Sequence, residues 1–193
     1  MKSYNSTTVV ESLIPSREYA VEHFGLDSSL VNPAVYVGTY AKYAAGSIDG
    51  EWVDISKCSD YDEFIEVCKA IHQDEEDPEL MFQDYMNFPA SLYHESFMGE
   101  KIFERIIEYA GMDDDKQEAY EVFCENISED VDEFNEKYIG RYDSEEELAE
   151  ELFYDQVESA LGSLACYFDF KSLGRELCRT DYTYLDGFLF HSY

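Results

Sequence analysis

Carboxylates dominate every place in this chain where side chains could do chemistry. Glu79 and Asp84 flank Phe82 and stand beside Tyr85, an acid pair among aromatics of the kind that could serve a glycosidase. With 44 Asp and Glu in 193 residues, such a pair is expected by chance. Neither "DDD" at 113–115 nor "DEEDPE" at 74–79 has the Asp-x-Asp-x-Asp-Gly spacing, with Glu at the twelfth position, of a calcium loop. His23, His72, His94 and His191 are scattered and read as structural or surface histidines. No Gly-rich phosphate loop, GxSxG turn or Cys/His nucleophile pattern is present. The expectation is therefore no catalytic residue, no metal site and no cofactor.

What remains is charge in a pattern. Asp114, Glu118, Glu121, Glu125, Glu129, Asp132 and Glu136 recur at steps of four or three residues. Ala119, Phe123, Ile127, Val131, Phe134 and Tyr138 recur beside them. This predicts helix over 113–138 with one core face and one line of carboxylates, unless Ser128 opens a second helix and breaks the line. At about 1.5 Å of rise per residue the acids would stand about 4.5–6 Å apart. DNA presents one phosphate per about 3.4 Å of axis on each strand, a spacing of the same order. Further acidic groups are Asp62, Glu63 and Glu66, then Asp74, Glu75, Glu76 and Asp77, then Glu146, Glu147, Glu150, Glu151 and Asp155.

Lysine and arginine are missing where these acids gather. Residues 70–100 and 117–136 each carry eight acids and no base, and 142–170 carry nine acids and no base. An ordinary solvated helix face interleaves the two signs, because like charges at i,i+4 cost about 0.2–0.5 kcal/mol per pair. Here Glu146–Glu150, Glu147–Glu151 and Glu151–Asp155 are all like-charged pairs of that spacing.

The chain is 45% hydrophobic and 16% aromatic, too apolar for a disordered acidic polymer. It folds, and it folds with a formal net charge of −31, against a magnitude of about 2–8 that serves solubility in a small domain. Attraction to nucleic acid or to an anionic membrane is excluded, since both are polyanions. A basic partner, cations or a high-salt habitat are left. The charge is spread along the chain: −2 over residues 1–33, −10 over 34–90, −11 over 91–135 and −8 over 136–193. Cys58, Cys68, Cys124, Cys166 and Cys178 form no zinc or CxxC pattern and are expected as reduced cytoplasmic thiols. The N-terminal stretch lacks the apolar core of a signal peptide, and no 18-residue apolar run is present. A soluble intracellular protein is expected.

The elements that must carry this charge are short. A helix is expected around Arg17–Phe24. "VYVGTY" and "EWVDI" read as strands joined by a loop that ends in Asp49-Gly50. Tyr61, Phe64, Ile65, Cys68 and Ile71 predict a helix over 60–72, and 97–110 is also helical in period. Ser144 and Glu147 form a capping box for a helix containing Leu148, Leu152 and Val157. "TYL-DG-FLF" is a tight hairpin. Strands near both ends with helices between them predict an α+β fold.

Three stretches, "VYVGTYAKYAAGSIDGEWVDI", "DEEDPELMFQDYMNFP" and "RYDSEEELAEELFYD", closely resemble the ArdA family of antirestriction proteins, over about 34–193. Residues 1–33 have no counterpart there and form an extension of open role. The resemblance implies an elongated chain of three small domains with short antiparallel sheets and helices: an N-terminal α+β domain at 34–90, a central helical domain at 91–135 and a C-terminal α+β domain at 136–193. It implies a curved homodimer, carried on conjugative plasmids and transposons, whose carboxylates imitate the phosphates of bent duplex DNA. The implied partner is the DNA-recognising methyltransferase core of a type I restriction-modification enzyme in the bacterial cytoplasm. No reaction is catalysed, and neither DNA nor membrane is bound. The region around Ser144–Asp155 is associated with self-association in the family, so Leu148, Leu152 and Phe153 serve either a dimer interface or the core. Readings from other classes are a general acidic binding module for another basic protein, an acid-lined hydrolase, and a halophile's surface.

Overall fold

The computed structural model describes residues 16–27 and 30–193; residues 1–15, 28 and 29 of the expected extension lie outside them. The fold is α+β, with helices and two small antiparallel sheets. It divides into two compact units, one running to Phe88 and including Tyr93–Ala110, the other made of Pro89–Leu92 and Gly111–Tyr193.

The first unit is built on a three-stranded sheet in the order β2-β1-β3, from β1 (Ala34–Thr39), β2 (Glu51–Asp54) and β3 (Leu80–Met86). Central β1 pairs Val35 with Val53 on one side and with Tyr85 on the other. Helix α1 (Arg17–Phe24) starts where expected, with Ser16 Oγ accepting from Tyr19 N. Tyr40–Ala44 form a short helix α2 inside what reads as a loop. Helix α3 (Tyr61–Ile71) is capped by Asp60, whose carboxylate accepts from Glu63 N at 2.8 Å. Its buried face, Phe64, Val67, Cys68 and Ile71, joins Val35, Val37, Val53 and Ile55 in the core. Helix α4 (Glu100–Ala110) falls within the segment 91–135 but packs with this unit, its Phe103 ring 5.6 Å from Phe64 and 6.1 Å from Tyr61.

The second unit holds α5 (Asp114–Asn126), α6 (Val131–Lys137), α7 (Glu145–Leu161) and α8 (Phe170–Thr180). Its sheet runs β4-β6-β5, from β4 (Tyr138–Arg141), β5 (Tyr182–Leu185) and β6 (Phe188–His191). The hairpin expected at Asp186-Gly187 is there, with both residues at positive φ (48° and 90°), as a tight primed turn requires. Tyr120, Phe123, Phe134, Phe188 and Phe190 are fully buried. Phe123 stands 5.5 Å from Phe134 and 5.3 Å from Phe190, which ties both helices to the sheet.

One expectation needs correction. Residues 113–138 do not form one helix: α5 ends at Asn126 and α6 begins at Val131. Ser128 Oγ accepts from Asp130 N, and the Asp130 carboxylate accepts from Glu133 N, each at 3.1 Å. Side chains that offer the backbone this alternative favour a cap over a helix interior.

Candidate acidic interaction surface

Helix α3 presents Asp62 and Glu66 to solvent. Glu63 is half-buried and does local work, its Oε2 accepting from Ser59 N at 2.6 Å. Beyond the helix, Asp74, Glu76 and Asp77 are exposed and Glu75 half-buried.

Two of these four are not bare charge. The Lys42 ammonium donates to Asp74 at 3.0 Å and Asp49 at 3.1 Å, and lies 3.9 Å from Glu75. Glu75 also accepts from Thr39 Oγ1 at 2.7 Å. Burial by itself would lower the Lys42 pKa, but its hydrogen bonds to Asp74 and Asp49 outweigh this and raise it. The hydrogen bond from Lys42 holds the Asp74 carboxyl below its ordinary value. Lys42 also meets Nδ1 of His72 at 3.0 Å, while His72 Nε2 lies 3.0 Å from the Val37 carbonyl oxygen. Nε2 must then carry the proton and Nδ1 must accept, so this buried imidazole is neutral. Burial, with Lys42 adding to it, lowers its pKa. The ligand atoms of His72, Asp74 and Glu75 come within 4.8 Å of one another, a grouping that could hold a metal ion. The Lys42 ammonium already bonds two of these residues and lies beside the third, supplying the cation itself. Arg17 does similar work nearby, reaching Asp49 at 3.4 Å, Glu51 at 3.1 Å and the Ile71 carbonyl at 3.1 Å.

In the second unit Asp114, Glu118, Glu121 and Glu125 are exposed along α5, and Asp132 and Glu136 along α6. Glu129 is exposed in the connection, where its carbonyl accepts from the Tyr120 hydroxyl at 2.6 Å. The seven acids are thus distributed over two helices and a turn. Glu118 is neutralised: Arg141 reaches it at 2.8 Å and Asp115 at 3.4 Å, its guanidinium 5.2 Å above the Phe188 ring.

Helix α7 begins at the expected cap, Ser144 Oγ accepting from Glu147 N at 3.1 Å. The Glu147 carboxylate closes the return bond on Asp143 N at 2.6 Å. Glu146, Glu150, Glu151 and Asp155 are exposed. Leu148 is fully buried with Tyr142 and Leu189, Leu152 packs against them, and Phe153 is half-buried. Further along, Tyr154, Leu161, Leu164, Tyr167 and Phe168 are all exposed apolar side chains.

Sequence reasoning did not find the neutralising centres at Lys42 and Arg141, because no local spacing links Lys42 to Asp74 or Arg141 to Glu118. It also passed over Lys171, Arg175 and Arg179, all exposed on α8, although their four-residue spacing is visible in the chain. No described helix is long and apolar enough to cross a membrane. Chemically, each unit offers many water-facing carboxylates over an aromatic core, a field suited to a basic partner. A family model described as "Antirestriction protein (ArdA)" matches residues 35–188. A search of curated proteins found no match.

Proposed function

Because the chain belongs to the ArdA family of antirestriction proteins, we propose that it works by occupying the DNA-binding groove of a type I restriction-modification enzyme. Its carboxylates take the places of the phosphates of bent duplex DNA, and it acts by binding, without catalysis. The observation that carries this reading is the exposure of Asp114, Glu121, Glu125, Asp132, Glu136, Glu146, Glu150, Glu151 and Asp155 on helices whose apolar residues form the core. A line of phosphates cannot be imitated with lysines among the acids, which accounts for the base-free stretches.

The active form is a homodimer in the cytoplasm of a bacterial host, where incoming DNA meets restriction. Two copies carry a formal −62, twice the −31 of one, equal to the phosphates of roughly 30 base pairs at one charge per about 1.7 Å. The exposed Leu161, Leu164, Tyr167 and Phe168 support self-association, since exposed apolar patches mark interaction sites. The test is transfer of unmodified DNA into a restricting host with and without this protein. Recovery of transfer is expected; unchanged restriction would overturn the proposal.

A further inference from the structure

Helix α1 precedes residue 35, where the family match begins, yet it belongs to the core of the first unit. Ala20 and Phe24 are buried, and α1 packs against α3 and β2. Its C-terminal end is held as well, Lys57 Nζ donating to the Gly25 carbonyl oxygen at 2.6 Å.

Arg17 opens this helix and reaches in three directions. Nη1 donates to the Ile71 carbonyl oxygen at 3.1 Å, and Nη2 lies 3.1 Å from Glu51 and 3.4 Å from Asp49. Ile71 is the last residue of α3, so its carbonyl is one that a helix end leaves without an intrahelical partner. There the chain leaves α3 for the connection 72–79, which carries Asp74, Glu75, Glu76, Asp77 and Glu79. Asp49 passes the linkage on. Its carboxylate also accepts from Lys42, which donates in turn to Asp74 and to His72 Nδ1. With Glu75 on Thr39, the first half of the connection is tied down, and Glu76 and Asp77 stand exposed just beyond it.

The two cations are the inward groups of this network. The Arg17 and Lys42 side chains are 29% and 14% exposed, against 49% for Asp49 and 61% for Asp74. Wet carboxylates gain little from pairing, and a chain that sets Glu146 beside Glu150 has no need to neutralise these two. What a guanidinium between a backbone carbonyl and two acids does supply is direction, because its planar fork fixes where each partner stands.

We propose that Arg17 is a positioning residue for target binding: through the Ile71 carbonyl, and through Asp49 and Lys42, it holds the acidic connection in the conformation that meets the partner. This rests on the reading of the chain as an inhibitor of a basic protein surface. A connection ordered beforehand is spared its ordering cost on association.

The sign of the effect separates position from charge. Removing the Arg17 charge makes the chain more negative, so a field alone predicts equal or tighter binding to a basic partner. Positioning predicts weaker binding.

The test uses the full chain and Arg17→Gln, with Lys171→Gln, exposed on α8, as the charge-matched control. Titration against the DNA-recognising core of a type I enzyme reads binding, and amide hydrogen exchange reads the connection. Arg17→Gln should weaken binding about three- to tenfold, while Lys171→Gln binds equally or more tightly. It should also speed exchange of the Glu75 amide, which donates to the His72 carbonyl at 2.9 Å, while the amides of central β1 stay protected. Glu76→Gln/Asp77→Gln should cost less binding in the Arg17→Gln background than in wild type. Arg17→Lys keeps the charge without the fork and should fall between wild type and Arg17→Gln; it carries the comparison if Arg17→Gln does not fold. Unchanged exchange at Glu75, or binding no weaker than that of Lys171→Gln, would overturn the proposal. If wild type fails to protect transferred DNA while Arg17→Gln still frees the connection, the antirestriction reading falls and Arg17 positions these acids for another basic partner. If transfer is protected and the connection is not freed, the proposal falls and the reading stands.

Discussion

The ammonium of Lys42 donates to Nδ1 of His72 across 3.0 Å, so a cation faces the unprotonated nitrogen of a buried imidazole. Protonating that ring would set two positive groups against each other. The His72 pKa is lowered in the fold, first by burial, so the unfolded chain takes up this proton at higher pH than the native one does. The stabilisation is complete above the ordinary histidine value of about 6.5 and is lost as pH falls through the folded value. Urea unfolding of wild type and His72→Gln at pH 7.5 and 5.5 checks this. The stability gap between them should be smaller at pH 5.5, and an equal or wider gap would contradict it.

Gly174 sits inside α8, where glycine costs about 1 kcal/mol relative to alanine. A Cβ there would lie 1.9 Å from the Glu145 carbonyl oxygen and 2.5 Å from its carbonyl carbon, so α8 meets the first turn of α7 backbone against backbone. Gly174→Ala should therefore destabilise, by about 1–3 kcal/mol as an overpacking change, despite the gain in helix propensity. Denaturant unfolding gives the sign directly; a more stable variant would show that the two helices can separate at little cost.

The same glycine explains part of what the sequence hides. Its low propensity masks α8, and its packing reason lies on another helix. Strand β3 is masked differently. A bulge shifts its register, pairing Tyr36 with Asp84 but Val37 with Phe82, so Gln83 is the extra residue. Met81 and Phe82, in regular register opposite Gly38 and Val37, point to opposite faces and are both buried, as consecutive residues of β1 are, so the alternation that betrays a half-buried strand is missing. Local signals were legible wherever the chemistry is local: the Ser144 cap, the Asp186-Gly187 turn, and the apolar face of α3. Exposure of Glu125 or Glu150 follows from helical period. The neutralisation of Glu118 by Arg141 does not, because it depends on where β4 falls beside α5.

Salt should stabilise this protein. Net charge of −31 makes the compact state repel itself, and ions screen that repulsion over about 8–10 Å at physiological strength. The thermal midpoint should rise between low and moderate sodium chloride. A midpoint that fell steadily over that range would mean the charges are largely paired.

Inhibition should resist single neutralisations. Exposed charge pairs are worth about 0.2–1 kcal/mol each, so Glu121→Gln or Glu150→Gln should leave a restriction-protection titration nearly unchanged. Neutralising Asp114, Glu118, Glu121, Glu125 and Glu129 together should weaken inhibition clearly. Phe123→Ala should act through the fold instead, costing about 3–5 kcal/mol as a loss from a fully buried aromatic site. A folded single Glu→Gln variant without activity would refute a distributed field.

Competition with duplex DNA tests phosphate mimicry most directly. The DNA-recognising core of a type I enzyme is saturated with this protein and titrated with duplex carrying its recognition sequence, at two salt concentrations. Mimicry predicts mutual displacement at one site, and binding of this protein that weakens as salt rises. A ternary complex in which enzyme, DNA and this protein are bound together at that site would contradict it.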